Sequence, residues 1–314
     1  MPGSYAHIAL VNCASEKRSL LKIDGFPREA IDAAGLHLNF LELGSISPDY
    51  PYLDIASGDA KKWADAMHYT HTCRIIDVGA EMVRGLPQGP VKGKCLAWLM
   101  GYTAHVITDM CIHPAVELKV GPYKGNETAH RRCEMHQDAY IFRRIGTGMP
   151  QTADHIKATI LTCYDPGDPQ KLDPDVKRLW TSILKEVHAD LYTSDPPDMD
   201  KWHQRCNTIL EKLLPTSSEL VGFARHVCDG LAFSYPSPDK IDRAYIDALK
   251  VPTLELMKYD DIFDFAIKQV QQVWVNVARS ALEDRTIIAF RNDEWDLDTG
   301  RSNKQDKRVF WGVA

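Results

Sequence analysis

Apolar positions along this chain recur mostly at three- and four-residue intervals, the period of helices that bury one face. Over 27–42, Ala30, Ile31, Ala34, Leu38 and Leu41 share a stripe and predict a short amphipathic helix after Pro27. Residues 45–54 read as loop, because Ser45, Ser47, Pro48, Asp49 and Pro51 are turn formers. A helix is expected from Asp59, its cap, to Arg84, with Gly85-Leu86-Pro87 as the stop. Another should run from Lys92 to Ile112, ended by Pro114, and a third from just after Asn126-Glu127-Thr128 to Ile145. Stretches rich in Pro and Asp at 165–175 and 193–200 bracket a helix from Pro174 to Tyr192. Further helices are expected over 199–214, 216–233, 238–249 and 259–290. The segment from Asn292 to Ala314 is polar, carries Val309-Phe310-Trp311 near its end, and reads as a tail docking on the body. Strand-like alternation is scarce. The pattern predicts an all-α fold, a multi-helix bundle. No break separates its halves, so one domain over 1–314 is expected.

Composition narrows the functional classes. The 314 residues are 44% apolar and 25% charged, an ordinary globular balance. Formal net charge is -6, and no run of Lys or Arg reaches five. A broad basic face is therefore absent from the sequence, and stable nucleic-acid binding is not expected. Eight Cys, none in C-x-x-C spacing and several inside apolar stretches, read as buried thiols in a reducing compartment. The opening Met1-Pro2-Gly3-Ser4-Tyr5-Ala6-His7 has neither a basic start nor an apolar run. Apolar stretches such as Cys95 to Met100 look too short to span a bilayer. A cytoplasmic protein with at most peripheral membrane contact is the expectation, and export by a signal-independent route is compatible with it.

The sharpest chemical signal is Gly101-Tyr-Thr-Ala-His105-Val-Ile-Thr-Asp109-Met-Cys-Ile-His113. Four residues advance a helix by about 400°, so His105, Asp109 and His113 project from one face. Imidazole nitrogen and carboxylate oxygen are standard zinc ligands. His130 and Glu134 repeat the four-residue spacing on the next predicted helix, where His136 and Asp138 read as supporting or surface groups. A lone helical His is more often structural than a ligand. Several such groups on one face are costly to bury unless they are paired or bound.

With these residues in order, the chain resembles the zinc-dependent phospholipase C family, relatives of the fungal single-strand zinc nucleases. His7, Asp49, His68, His105, Asp109, His113, His130 and Glu134 match the family's ligand pattern in sequence order, and Tyr5-Ala6-His7 and Asp49-Tyr50 look like family features. His71 competes with His68 for one position. The resemblance implies about three zinc ions. The first takes Asp49, His68, His105 and Asp109. A second shares Asp109 and adds His7, and a third takes His113, His130 and Glu134. Secreted relatives use an N-terminal Trp amine as a further ligand. Here the Pro2 amine would have to substitute, so one ion is expected to be weak. The implied reaction is hydrolysis of a phosphate ester, most readily a phospholipid phosphodiester, by metal-activated hydroxide, with Asp49 orienting water or acting as base. Tyr50 and Tyr69 either line a substrate pocket or pack in the core. Two other functions fit the sequence: a nuclease or nucleotidase of the same fold, and a non-catalytic protein whose zinc ions staple helices together.

Overall fold

The computed structural model describes residues 3–54, 58–146, 154–208, 235–283 and 292–313. In chain order its helices are α1 (Ser4–Ala14), α2 (Lys17–Leu20), α3 (Arg28–Leu36), α4 (Leu38–Ile46), α5 (Gly58–Tyr69), α6 (Thr72–Arg84), α7 (Pro90–Val120) and α8 (Glu127–Ile141). There follow α9 (Asp154–Ala158), α10 (Pro174–Val187), α11 (Ala189–Ser194), α12 (Met199–Thr208) and α13 (Tyr259–Leu282). Among the described residues, strands occur only as short antiparallel pieces. These are β1 (Tyr164–Asp165) with β2 (Asp168–Leu172), β3 (Leu249–Lys250) with β4 (Leu256–Met257), and the ribbon of β5 (Trp295–Asp296), β6 (Arg301–Ser302) and β7 (Lys307–Arg308). The protein is an all-α bundle, and one apolar core runs through its described residues from Tyr5 to Leu297.

The core is built round α7. Every residue from Cys95 to Val116 is buried, so this helix has no solvent face and no amphipathic stripe. It is long and apolar enough to cross a membrane, contrary to the reading of short apolar runs, but that stretch is enclosed by protein. Helices α1, α3, α4, α6, α8, α10 and α13 pack about it. The crossing with α4 is backbone to backbone: a Cβ on Gly44 would lie 2.1 Å from the Trp98 carbonyl oxygen, and one on Gly101 only 2.0 Å from that of Leu41.

Several expected boundaries move, each for a local reason. The helix predicted over 27–42 is two, broken at His37, and α4 continues to Ile46. The 45–54 loop is largely a 3-10 turn over Ser47–Leu53. The helix expected from Asp59 to Arg84 breaks between α5 and α6, where His71 takes the left-handed conformation (φ 55°). The stretch predicted as one helix to Tyr192 breaks at His188. Pro114 does not end α7, which runs to Val120. Proline removes the amide that would bond the Met110 carbonyl, and the backbone of Gly300 lies tight against that carbonyl and the Pro114 ring. Nearby, the Cys111 carbonyl accepts the Trp311 indole N–H at 3.0 Å. Tertiary packing thus carries the helix through its proline. The expected helix over 238–249 is instead two 3-10 turns, Pro238–Lys240 and Arg243–Tyr245, leading into β3. The helix predicted over 216–233 and the ends of those over 199–214 and 259–290 lie outside the described residues.

Docking of the tail matches the expectation. Trp311 stacks on Phe265 with ring centroids 4.4 Å apart. Trp295 is buried against α6, its amide and carbonyl both hydrogen-bonded to the Thr72 hydroxyl.

Candidate metal centre

His7 sits on α1, an element absent from the helices predicted because nearly every one of its positions is buried and no stripe distinguishes it. Its first turn is clamped from α8. The Asp138 carboxylate accepts the amides of Tyr5 (3.3 Å) and Ala6 (3.0 Å) and the Tyr235 hydroxyl (3.0 Å). An acid facing unpaired amides at a helix start satisfies both groups. Gly3 leaves the room this needs, since a Cβ there would lie 1.9 Å from Asp138 Oδ2.

The remaining candidates arrive from four elements. Asp49 lies in the 3-10 turn after α4 and His68 in the last turn of α5. His105, Asp109 and His113 follow one face of α7, and His130 and Glu134 one face of α8. All eight are buried, none more than 2% exposed. His7 Nε2 is 3.2 Å from Asp109 Oδ1, His105 Nε2 is 3.4 Å from Asp109 Oδ2, and His68 Nε2 is 3.4 Å from Asp49 Oδ1. The His7 and His105 rings stack with centroids 4.1 Å apart. Two donor triads result, His7–His105–Asp109 and Asp49–His68–His105, each with its ligand atoms within 4.8 Å of one another. They share His105. The third expected group does not close to the same degree: His130 Nδ1 is 3.7 Å from Glu134 Oε1, but His113, His130 and Glu134 form no triad with ligand atoms within 4.8 Å of one another. His71 is not in the cluster: past the helix break it reaches outward to Glu294, 3.1 Å away.

Four of the imidazoles are held in the same way. His68 Nδ1 donates to the Ala64 carbonyl (2.7 Å), His105 Nδ1 to Ser45 (2.9 Å), His130 Nε2 to Gly121 (2.7 Å), and His113 Nδ1 to Leu297. Each ring is thereby fixed in one tautomer, with the lone pair of its other nitrogen aimed inward. Backbone anchoring of this kind orients metal-ligating histidines.

The inward-facing atoms make a donor set for a cation. His68 Nε2 and His105 Nε2 lie 3.2 Å apart, and both Nδ1 atoms are taken up by backbone carbonyls, so the two Nε2 atoms converge on one point. His113 Nε2 and His130 Nδ1 are buried with no hydrogen-bond partner. Such atoms are expensive to leave alone in a protein interior. The donor set of imidazole nitrogen and carboxylate oxygen suits zinc, and the residues fit that ion.

The charges agree with the geometry. Burial would raise the Asp109 carboxyl, but His105 and His113 outweigh it and hold it well below the usual range. Asp49 is likewise held low against burial by His68 and His105. Burial and the adjacent His105 lower the pKa of His7, and burial takes His113 down to about 4. His105 is raised, because Asp109 and Asp49 overcome its desolvation.

The two tyrosines differ in setting. Tyr50 is fully buried, 3.1 Å from His203 Nδ1 and packed near Trp180. Tyr69 is half-buried and donates its hydroxyl to Asp298 at 2.7 Å. Sequence reasoning missed the anchors Ser45, Ala64, Gly121 and Leu297. They act through main-chain carbonyls, which carry no residue-type signal.

Among families of known proteins, the one described as zinc dependent phospholipase C matches residues 6–190, more than half of the chain. Searches of curated proteins and of solved structures gave no match.

Proposed function

The chain belongs to the zinc-dependent phospholipase C family, and from that premise we propose that it cleaves a phospholipid phosphodiester between the glycerol and the phosphate. The coarser statement, a zinc-dependent phosphoesterase, rests on the family and on the two buried donor triads together. The observation that carries the reading is the convergence of the His68 and His105 Nε2 atoms, flanked by Asp49 and Asp109.

In this reading His7, Asp49, His68, His105 and Asp109 would hold zinc in the joined triads, and His113, His130 and Glu134 would hold it in a neighbouring site. Zinc supplies Lewis-acid chemistry toward a phosphoryl oxygen and toward water. The chain's own groups set the conditions. Asp49, ionised and buried, is placed to orient a water and take its proton. Anchored imidazoles keep the donor atoms in place without reorganisation during the reaction. The positive charge brought by zinc lets a chain of net charge -6 receive an anionic ester locally.

Metal analysis tests the foundation. Purified protein should contain two to three zinc ions per chain, roughly the number the donor set can hold. His105→Ala, which removes the residue common to both triads, should lose most of them and nearly all hydrolysis of phosphatidylcholine. Well-folded protein without zinc would overturn the reading. Phosphatidylcholine left intact while single-stranded DNA is cut would move the substrate to nucleic acid.

A second reading has one observation in its favour. With all eight candidates at most 2% exposed, zinc could serve to staple α1, α5, α7 and α8. Closed sites of that kind stabilise without catalysing. Zinc-loaded, folded protein inert toward every phosphoester tried would select it.

A further inference from the structure

The hairpin of β3 and β4 presents two leucines where a soluble surface gains nothing from them. Leu254 is 70% exposed and Leu256 69%. The hairpin itself is firmly built. Leu254 N–H bonds the Val251 carbonyl at 2.8 Å, Val251 N–H bonds that of Glu255 at 3.0 Å, and Val251 and Pro252 are buried beneath. Leu254 also has φ of 68°, a left-handed conformation in which glycine is ordinary and a branched apolar side chain is strained. The chain holds a leucine at the tip at a conformational cost.

The register adds a second feature. Lys250 pairs with Leu256 across the ladder, and directly opposed residues point to the same side. Lys258 follows Leu256 by two residues in extended backbone and shares that side as well. That side therefore carries Leu256, with exposed Lys250 level with it and exposed Lys258 nearer the base, while Leu254 stands at the tip. The base is tied to the metal-binding part of the fold. Tyr259 N–H bonds the Ile246 carbonyl at 2.8 Å, the Tyr245 carbonyl accepts from Gln137 at 3.1 Å, and Asp242 N–H bonds His136 at 3.0 Å. Gln137 and His136 lie on α8, which also bears His130 and Glu134.

We propose that this hairpin is an interfacial anchor, inserting Leu254 and Leu256 among the acyl chains of a phospholipid surface while Lys250 and Lys258 meet lipid phosphates. The proposal rests on the phospholipid reading of the site. Two side chains offer far less area than the roughly 800 Å² per partner of a stable protein interface, whereas a fluid bilayer accepts a small apolar insertion beneath a basic collar.

The test compares the zinc-loaded full chain with Leu254→Ser/Leu256→Ser in sedimentation with vesicles of phosphatidylcholine and phosphatidylserine. It also measures hydrolysis of a short-chain phosphatidylcholine kept below its micelle concentration. The double variant should lose about tenfold or more in vesicle binding and keep its rate on the dissolved substrate. Leu254→Gly, which suits the backbone and cannot be blamed on misfolding, should fall in the same direction. Equal vesicle binding by wild type and variants would overturn the anchor, as would wild-type protein that ignores vesicles yet hydrolyses the dissolved lipid. A wild-type dimer that the double variant converts to monomer would also overturn it, by assigning the leucines to self-association. Absence of hydrolysis with vesicle binding intact would count against the phospholipid reading and leave the anchor standing.

Discussion

His203 shows what burial does to a single imidazole. It is fully buried on α12, 3.1 Å from the Tyr50 hydroxyl, and desolvation takes its pKa from 6.5 to about 4. In unfolded chains the same group titrates near 6.5. As pH falls from 6.5 toward 4, the unfolded state takes up a proton that the folded state refuses, so stability present above 6.5 is lost through that window. The loss between about pH 7 and pH 5 is roughly 2 kcal/mol from this residue. His203→Gln should therefore melt less steeply with acid than wild type, both measured in excess zinc. Equal slopes would mean that Tyr50 or another neighbour accommodates the charge. Tyr50 follows Asp49 directly, so the contact also steadies the turn that presents a candidate ligand.

The α4–α7 crossing is the element that sets His105. Gly44 and Gly101 let the two backbones touch, and that contact brings the Ser45 carbonyl within 2.9 Å of His105 Nδ1. Gly101→Ala forces a methyl group to within 2.0 Å of the Leu41 carbonyl. It should cost about 3 kcal/mol in denaturant unfolding and weaken zinc binding by about tenfold or more through the displaced anchor. Gly35, in α3 with nothing within 4 Å of its would-be Cβ, should respond in the opposite sense. Gly35→Ala gains about 0.5 kcal/mol from helix propensity. If both variants shift alike, the crossing is not tight.

At this scale the sequence was legible where periodicity or spacing carries the information. The stripe of α3, the four-residue steps of His105, Asp109 and His113, and those of His130 and Glu134 all translate into shared faces. Helix α1 was not legible, because a helix buried all round has no stripe to read. The breaks at His37, His71 and His188 were hidden for another reason. Each occurs at a residue that helices tolerate, and its conformation follows from neighbours distant in sequence. Pro114 gave a false stop, since local propensity yields to packing around a fully enclosed helix.

Across the whole molecule, the centre depends on a segment far from its donors. All eight candidate ligands precede residue 135, while the carbonyl that orients His113 belongs to Leu297, two residues beyond the buried Trp295. Trp295→Ala should destabilise the protein by about 3 kcal/mol or more and unseat this strand. Zinc content should then fall in part, with the His105 triads still filled. Loss of every ion would place the whole cluster under the tail's control, and full retention would show that His113 needs no such support. Order of synthesis gives this arrangement a consequence in time. When His113 leaves the ribosome, the group that must turn its ring is still more than 180 codons away. The His113 ring can therefore take this orientation only after Leu297 has been synthesised, and a nascent product cut short before that residue would lack the anchor.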